Sequence, residues 1–152
     1  MSVDPFCTKS ETDKTVFYES ANFMVLYDIK PVVRGHCLFI PKRHVIDLPE
    51  LKKHEQRELW ELLCSVIPRI LKLYGADGNS YDLTSQIGPY SGRTVAHLHI
   101  HLLPRRRDDI YQSDSENIFE DIKLNRSSFS SADVQKEVSA LRKEFGYREL
   151  QK

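Results

Sequence analysis

Residues 96–103 read Ala-His-Leu-His-Ile-His-Leu-Leu, with histidine alternating with an aliphatic residue. In a strand, successive side chains point to opposite faces, so His97, His99 and His101 would share one face and Leu98, Ile100 and Leu102 the other. A chain carrying this stretch needs a sheet that gives one face to chemistry and the other to a core. A lone strand histidine is ordinarily a satisfied structural residue. Three at alternate positions repel one another when protonated and cost desolvation when buried. The set points to an active site or a metal site.

The rest of the chain supplies such a sheet. Thr15–Glu19, Phe23–Tyr27 and His36–Ile40 read as strands, with Arg34-Gly35 as a turn and Pro41 as the stop. Asp47-Leu48-Pro49-Glu50 opens a helical region in which Leu59, Leu62, Leu63, Val66, Ile67, Ile70, Leu71 and Tyr74 recur at three- and four-residue intervals up to Gly75. Pro68 lies inside this helix and is expected to remove a backbone bond and kink or open it, at a cost of about 3 kcal/mol. Tyr81–Gln86 reads as a further strand, and Gly88-Pro89-Tyr90-Ser91-Gly92 as a tight connection whose N–H groups can approach an anion. Residues 1–14 read as irregular, 110–130 as a polar, serine-rich and partly mobile loop, and 131–146 as a C-terminal helix. The expected architecture is α+β, a single domain over residues 1–152. It has a mostly antiparallel sheet of about five strands, one long helix and a C-terminal helix, without alternating βαβ units.

Lysine plus arginine and aspartate plus glutamate both number 22, giving a formal net charge of zero. No global field recruits nucleic acid or an anionic membrane, so neither is an expected partner, and an anionic ligand must be recognised locally. The three cysteines, Cys7, Cys37 and Cys64, are isolated and none sits in a CxxC pair, which argues against a disulfide framework and a cysteine zinc site. No run reaches the length of a membrane span, and Met-Ser-Val-Asp-Pro is neither a signal nor a transit segment. The expected setting is the cytoplasm, with the nucleus as a further possibility.

Two chemistries suit the histidines. A three-histidine zinc site is the only metal version with obvious ligands. The other is a histidine nucleophile. Attack on phosphorus needs one ring nitrogen free and the other held by a hydrogen bond, which a backbone carbonyl one or two residues away can accept. Flanking imidazoles can then donate to phosphate oxygens. The middle position is best placed for this, which nominates His99.

The stretch Gly92–Leu103 resembles the His-φ-His-φ-His-φ-φ signature (φ apolar) of the histidine-triad family, and Pro104-Arg105-Arg106 resembles its fragile-histidine-triad (Fhit) branch of diadenosine polyphosphate hydrolases. Lys30–His36, Gln86-Ile87-Gly88-Pro89 and Asp114–Ile122 match that branch at similar spacing. The resemblance implies that His99 attacks the α-phosphorus of a dinucleoside polyphosphate to form a nucleotidyl-histidine that water hydrolyses. His97 would orient it, His101 would hydrogen-bond phosphate or leaving-group oxygen, and His36 would support the triad. Gln86 and Thr94 would contact phosphate, Asp28 the ribose, and Phe6 and Leu26 the adenine. No cofactor is required, although a divalent cation such as Mg can accompany the substrate, and members are commonly homodimers.

Several positions depart from the branch. Asp28 stands in place of an Asn, as in the phosphoramidase (Hint) branch, Arg93 in place of a Gln, Arg34 in place of a Pro and Phe119 in place of a Tyr. Arg93 puts a fixed cation near the polyphosphate or simply points to solvent. The expected activity is hydrolysis of diadenosine triphosphate to AMP and ADP. The alternatives are an adenosine phosphoramidase or nucleotidyl transferase, a slow-turnover nucleotide-sensing protein, and a zinc-binding regulator.

Overall fold

A computed structural model describes residues 4–107 and 129–148. The elements are α1 (Lys9–Thr12), β1 (Val16–Glu19), β2 (Phe23–Tyr27), β3 (Cys37–Pro41), a 3-10 turn (Leu48–Glu50), α2 (Lys53–Tyr74), a second 3-10 turn (Asp77–Asn79), β4 (Tyr81–Thr84), β5 (Ile100–Pro104) and α3 (Ser131–Phe145). The strands form one sheet in the order β1-β2-β3-β5-β4, every neighbouring pair antiparallel. This is the expected α+β architecture. The loop expected at 110–130, the Asp114–Ile122 match and Phe119 lie outside the described residues, apart from the stretch just before α3.

The two faces of the sheet are covered differently. Leu59, Leu62, Leu63, Val66, Ile67, Ile70, Leu71 and Tyr74 of α2 are buried in one cluster with Val25 and Tyr27 of β2, Phe39 of β3 and Leu102 of β5. Met24, Leu26, Leu38 and Ile40 point the other way, into a smaller cluster against which Phe6 packs. All five residues of β2 are therefore buried, as expected of a central strand covered on both sides. Val134, Val138 and Leu141 give α3 its buried stripe beside β1, where the Arg142 guanidinium donates to the Val16 carbonyl at 2.9 Å.

Four local expectations change. Residues 9–12 form a short helix rather than irregular chain. The Leu48–Glu50 turn is separate from α2, whose first turn is capped by Glu55 accepting from the Lys52 N–H at 2.7 Å. α2 runs unbroken through Pro68, because Pro68 and Cys64 lie on the exposed face, where water can replace the missing backbone bond. The histidine strand begins only at Ile100, not Ala96. In the β3–β5 register, where Phe39 faces Ile100, Pro41 would fall opposite Leu98, and proline has no N–H to extend the ladder. The Leu98 N–H bonds the Val45 carbonyl instead, at 2.7 Å.

Gly35 closes the turn before β3 with φ +92°, and a Cβ there would come within 2.8 Å of the Tyr74 ring and 2.9 Å of Pro104. This close approach holds α2, β5 and the residue before His36 together.

Candidate active site

His97, His99 and His101 are all buried, as is His36, which enters from the start of β3. The chain places His97 and His99 just ahead of β5, but each still projects to the same side, held by bonds other than the ladder. His97 Nε2 lies 2.8 Å from the Pro41 carbonyl, and Ser85 donates its hydroxyl to the His99 carbonyl at 2.7 Å.

The hydrogen bonds fix where the ring protons sit. His99 Nδ1 is 2.6 Å from the His97 carbonyl. A carbonyl only accepts, so Nδ1 carries the hydrogen and Nε2 keeps its lone pair. Burial pushes the His99 pKa below the ordinary 6.5, against the opposing pull of the His97 carbonyl and the Asp28 charge. The ring is neutral at physiological pH, the form a nucleophile needs.

A second chain of bonds sets His101. The Val32 N–H donates to His36 Nδ1 at 3.3 Å, so in a neutral ring His36 Nε2 bears the hydrogen. That hydrogen points at His101 Nδ1, 2.8 Å away. With its Nδ1 accepting, a neutral His101 carries its own proton on Nε2, the form that can donate to a phosphate oxygen. The Asp28 carboxylate lies 3.5 Å from His36 Nε2 and also accepts the Lys30 N–H at 2.8 Å. The His99 and His101 rings are 4.9 Å apart at 72°.

His99 and His101 open into a cleft of about 200 Å³ whose walls include Phe6, Leu26, Asp28 and Thr94. Phe6 sits 5.4 Å from the His99 ring and 5.7 Å from His97. Six of the ten residues anticipated from sequence thus line this cleft, and His97 and His36 support it from behind. Gln86 and Arg93 do not line it. The Gln86 amide packs near Gly92, and the Arg93 guanidinium is tied to the Ile46 carbonyl at 3.1 Å.

Sequence reasoning missed Thr12, Thr15 and Lys30, which also line the cleft. Lys30 stands inside a quoted motif and was identifiable there. The two threonines reach the cleft from the end of α1, at Thr12, and from the turn that follows it, at Thr15. It also missed Asp4, Cys7 and His44, which meet His97 on its far side. Burial opposes ionisation of Asp4, but hydrogen bonds from Cys7, His97, the Phe6 N–H and His44 outweigh it and hold the carboxyl at about 2.

Known proteins resemble this chain in sequence and fold. The HIT domain family model matches residues 9–108. Bis(5'-adenosyl)-triphosphatase of Dictyostelium discoideum is 32% identical over 127 residues, 84% of this chain and 83% of that protein. The asymmetrical bis(5'-nucleosyl)-tetraphosphatase of Schizosaccharomyces pombe is 28% identical over 126 residues, 83% of this chain and 67% of that protein. The crystal structure of the C. elegans NitFhit protein superposes with a TM-score of 0.67 at 28% identity, covering 86% of this chain and 27% of that one. With its buried histidine triad and five-stranded sheet, the chain belongs to the HIT domain family.

Proposed function

We propose that the protein is a dinucleoside polyphosphate hydrolase that cleaves diadenosine triphosphate to AMP and ADP, with His99 as the nucleophile. The observation that carries this reading is the 2.6 Å bond from His99 Nδ1–H to the His97 carbonyl, which leaves Nε2 unprotonated beside the cleft. Relatives named as hydrolases of dinucleoside tri- and tetraphosphates support the substrate class.

In the first step His99 Nε2 forms a bond to the α-phosphorus as the bond from that phosphorus to the bridging oxygen breaks, releasing ADP. The Nε2 hydrogen of His101 stabilises the phosphate oxygens as charge builds on them. Water then attacks the same phosphorus, breaks the N–P bond, frees AMP and restores the imidazole. Asp28 accepts from the ribose hydroxyls, Phe6 and Leu26 flank the base, and Thr94 lies along the phosphates. Gln86 and Arg93, outside the cleft lining, act on the distal phosphates and leaving group. Any divalent cation accompanies the polyphosphate.

Asp28 favours a second reading, an adenosine phosphoramidase or nucleotidyl transferase with the same nucleophile, because a carboxylate at this position is the phosphoramidase-branch feature. We also propose a homodimer formed at the β4 edge, where the apolar side chains of Tyr81 and Leu83 are exposed. The three free cysteines suit a reducing, cytoplasmic setting.

Product analysis of wild type and His99→Asn with diadenosine triphosphate and with adenosine phosphoramidate tests these readings. AMP and ADP from the dinucleotide, lost in the variant, support the first. Fast turnover of the phosphoramidate alone supports the second. Undiminished activity in His99→Asn removes both.

A further inference from the structure

The cleft is not wholly apolar beside Phe6, Leu26 and Leu38, because its walls there include Glu11, Thr12 and Thr15. Glu11 and Thr12 end α1, and Thr15 belongs to the turn that leads into β1. Two backbone bonds fix the place of this turn. The Thr15 N–H donates to the Thr12 carbonyl at 3.1 Å, and the Thr15 carbonyl accepts from the Tyr27 N–H at 3.1 Å. Thr15 is thereby held against the end of β2, between Leu26 and Asp28 in sequence.

The polar groups differ in what they have left to offer. Thr15 is only 2% exposed, and its hydroxyl has no hydrogen-bond partner among the described residues. The oxygen is not fully enclosed, so the access it keeps is to the cleft that Thr15 lines. An unpaired hydroxyl in such a place costs free energy that a valine of the same shape avoids. Thr12 is already committed as a donor, to the Lys9 carbonyl at 3.2 Å, so toward the cleft its oxygen can only accept. The Glu11 carboxylate also only accepts, and Lys14 Nζ holds one of its oxygens at 2.8 Å.

We propose that Thr15 is a specificity-determining residue that hydrogen-bonds the edge of the bound base, and that this polar corner selects a 6-aminopurine over a 6-oxopurine. The proposal rests on the reading of the cleft as a nucleotide site, not on which bond is cleaved. Phe6, Leu26 and Leu38 give apolar contact that any base can use, so selection has to come from the edge. Adenine presents an amino group beside a ring nitrogen. The amino hydrogens go to the acceptors, Thr12 and Glu11, and the ring nitrogen accepts the hydrogen of Thr15 Oγ1. Hypoxanthine has the same outline with a carbonyl in place of the amino group. Its oxygen meets two groups that also only accept.

Binding of nucleoside monophosphates to the full chain, followed by isothermal titration calorimetry, tests this without hydrolysis. AMP should bind about tenfold more tightly than IMP. Thr15→Val should weaken AMP binding about 5- to 10-fold, the loss of one hydrogen bond, and leave ribose 5-phosphate, which has no base, unchanged. Thr15→Ser, which keeps the hydroxyl, should bind AMP within about twofold of wild type. Because the hydroxyl has no partner within the protein to lose, unliganded Thr15→Val should have a urea midpoint no lower than wild type. The assignment is overturned by AMP binding in Thr15→Val within twofold of wild type, by equal losses of AMP and ribose 5-phosphate, by IMP binding as tightly as AMP, or by a destabilised Thr15→Val. A wild type that shows the expected AMP selectivity and does not cleave diadenosine triphosphate overturns the hydrolase reading instead.

Discussion

His36→Leu separates the role of the second hydrogen-bond chain from simple packing. His36 is fully buried, with Val32 N–H on one ring nitrogen and His101 Nδ1 on the other. Leucine fills similar space but leaves a buried donor and a buried acceptor unpaired, each at about 1–3 kcal/mol, partly offset by the apolar gain. Net destabilisation of about 2–4 kcal/mol follows. The catalytic effect is separate. Without the His36 hydrogen, the bond that fixes the His101 proton on Nε2 is lost, and losing a buried hydrogen bond of about 1.5–3 kcal/mol lowers the rate about 10- to 100-fold. His36→Gln is the control, because its amide N–H can reach the place of the lost Nε2–H, and it should recover most of the rate while remaining less stable than wild type. The assays are urea denaturation and steady-state kinetics on diadenosine triphosphate. A folded His36→Leu within twofold of the wild-type kcat, or a His36→Gln no better than His36→Leu, refutes the reasoning.

Three further outcomes are expected. Gly35→Ala should destabilise by about 2–4 kcal/mol, from left-handed backbone strain plus overpacking against Tyr74 and Pro104, read as a lower denaturation midpoint at unchanged slope. Activity should fall on acidification as His99 gains a proton and loses its lone pair, and because its pKa is lowered the acid limb of kcat/KM should lie below 6.5. The Arg43 guanidinium holds the Glu55 carboxyl at about 2 against an ordinary 4.5, so its contribution is complete above pH 4.5 and is lost as pH falls toward 2. Because Arg43 is half-exposed and screened by solvent, we expect about 1–2 kcal/mol, and Arg43→Ala should flatten that part of the stability profile.

The parts of the fold visible in the sequence are those set by local periodicity. The histidine alternation fixed which side of β5 faces the cleft, and the stripe from Leu59 to Tyr74 fixed the helix that covers the opposite side. What was not visible depends on partners distant in sequence. The start of β5 is set by Pro41 across the sheet, not by residues 96–99. Pro68 leaves α2 unbroken because its exposure, which spacing alone does not settle, puts the lost bond at the surface. Cys7 read as an isolated thiol because its neighbours His44 and His97 are 37 and 90 residues away. Arg93 had two open readings, and its bond to the Ile46 carbonyl depends on the course of the loop after β3.

The central claim is that His99 Nε2 becomes covalently bonded to the nucleotide. Rapid-quench mass spectrometry during a single turnover of diadenosine triphosphate tests it most directly. The predicted result is a transient AMP adduct on the peptide containing His99, absent in His99→Asn and decaying as AMP appears. Turnover with no adduct at any time, or an adduct on another residue, contradicts the mechanism.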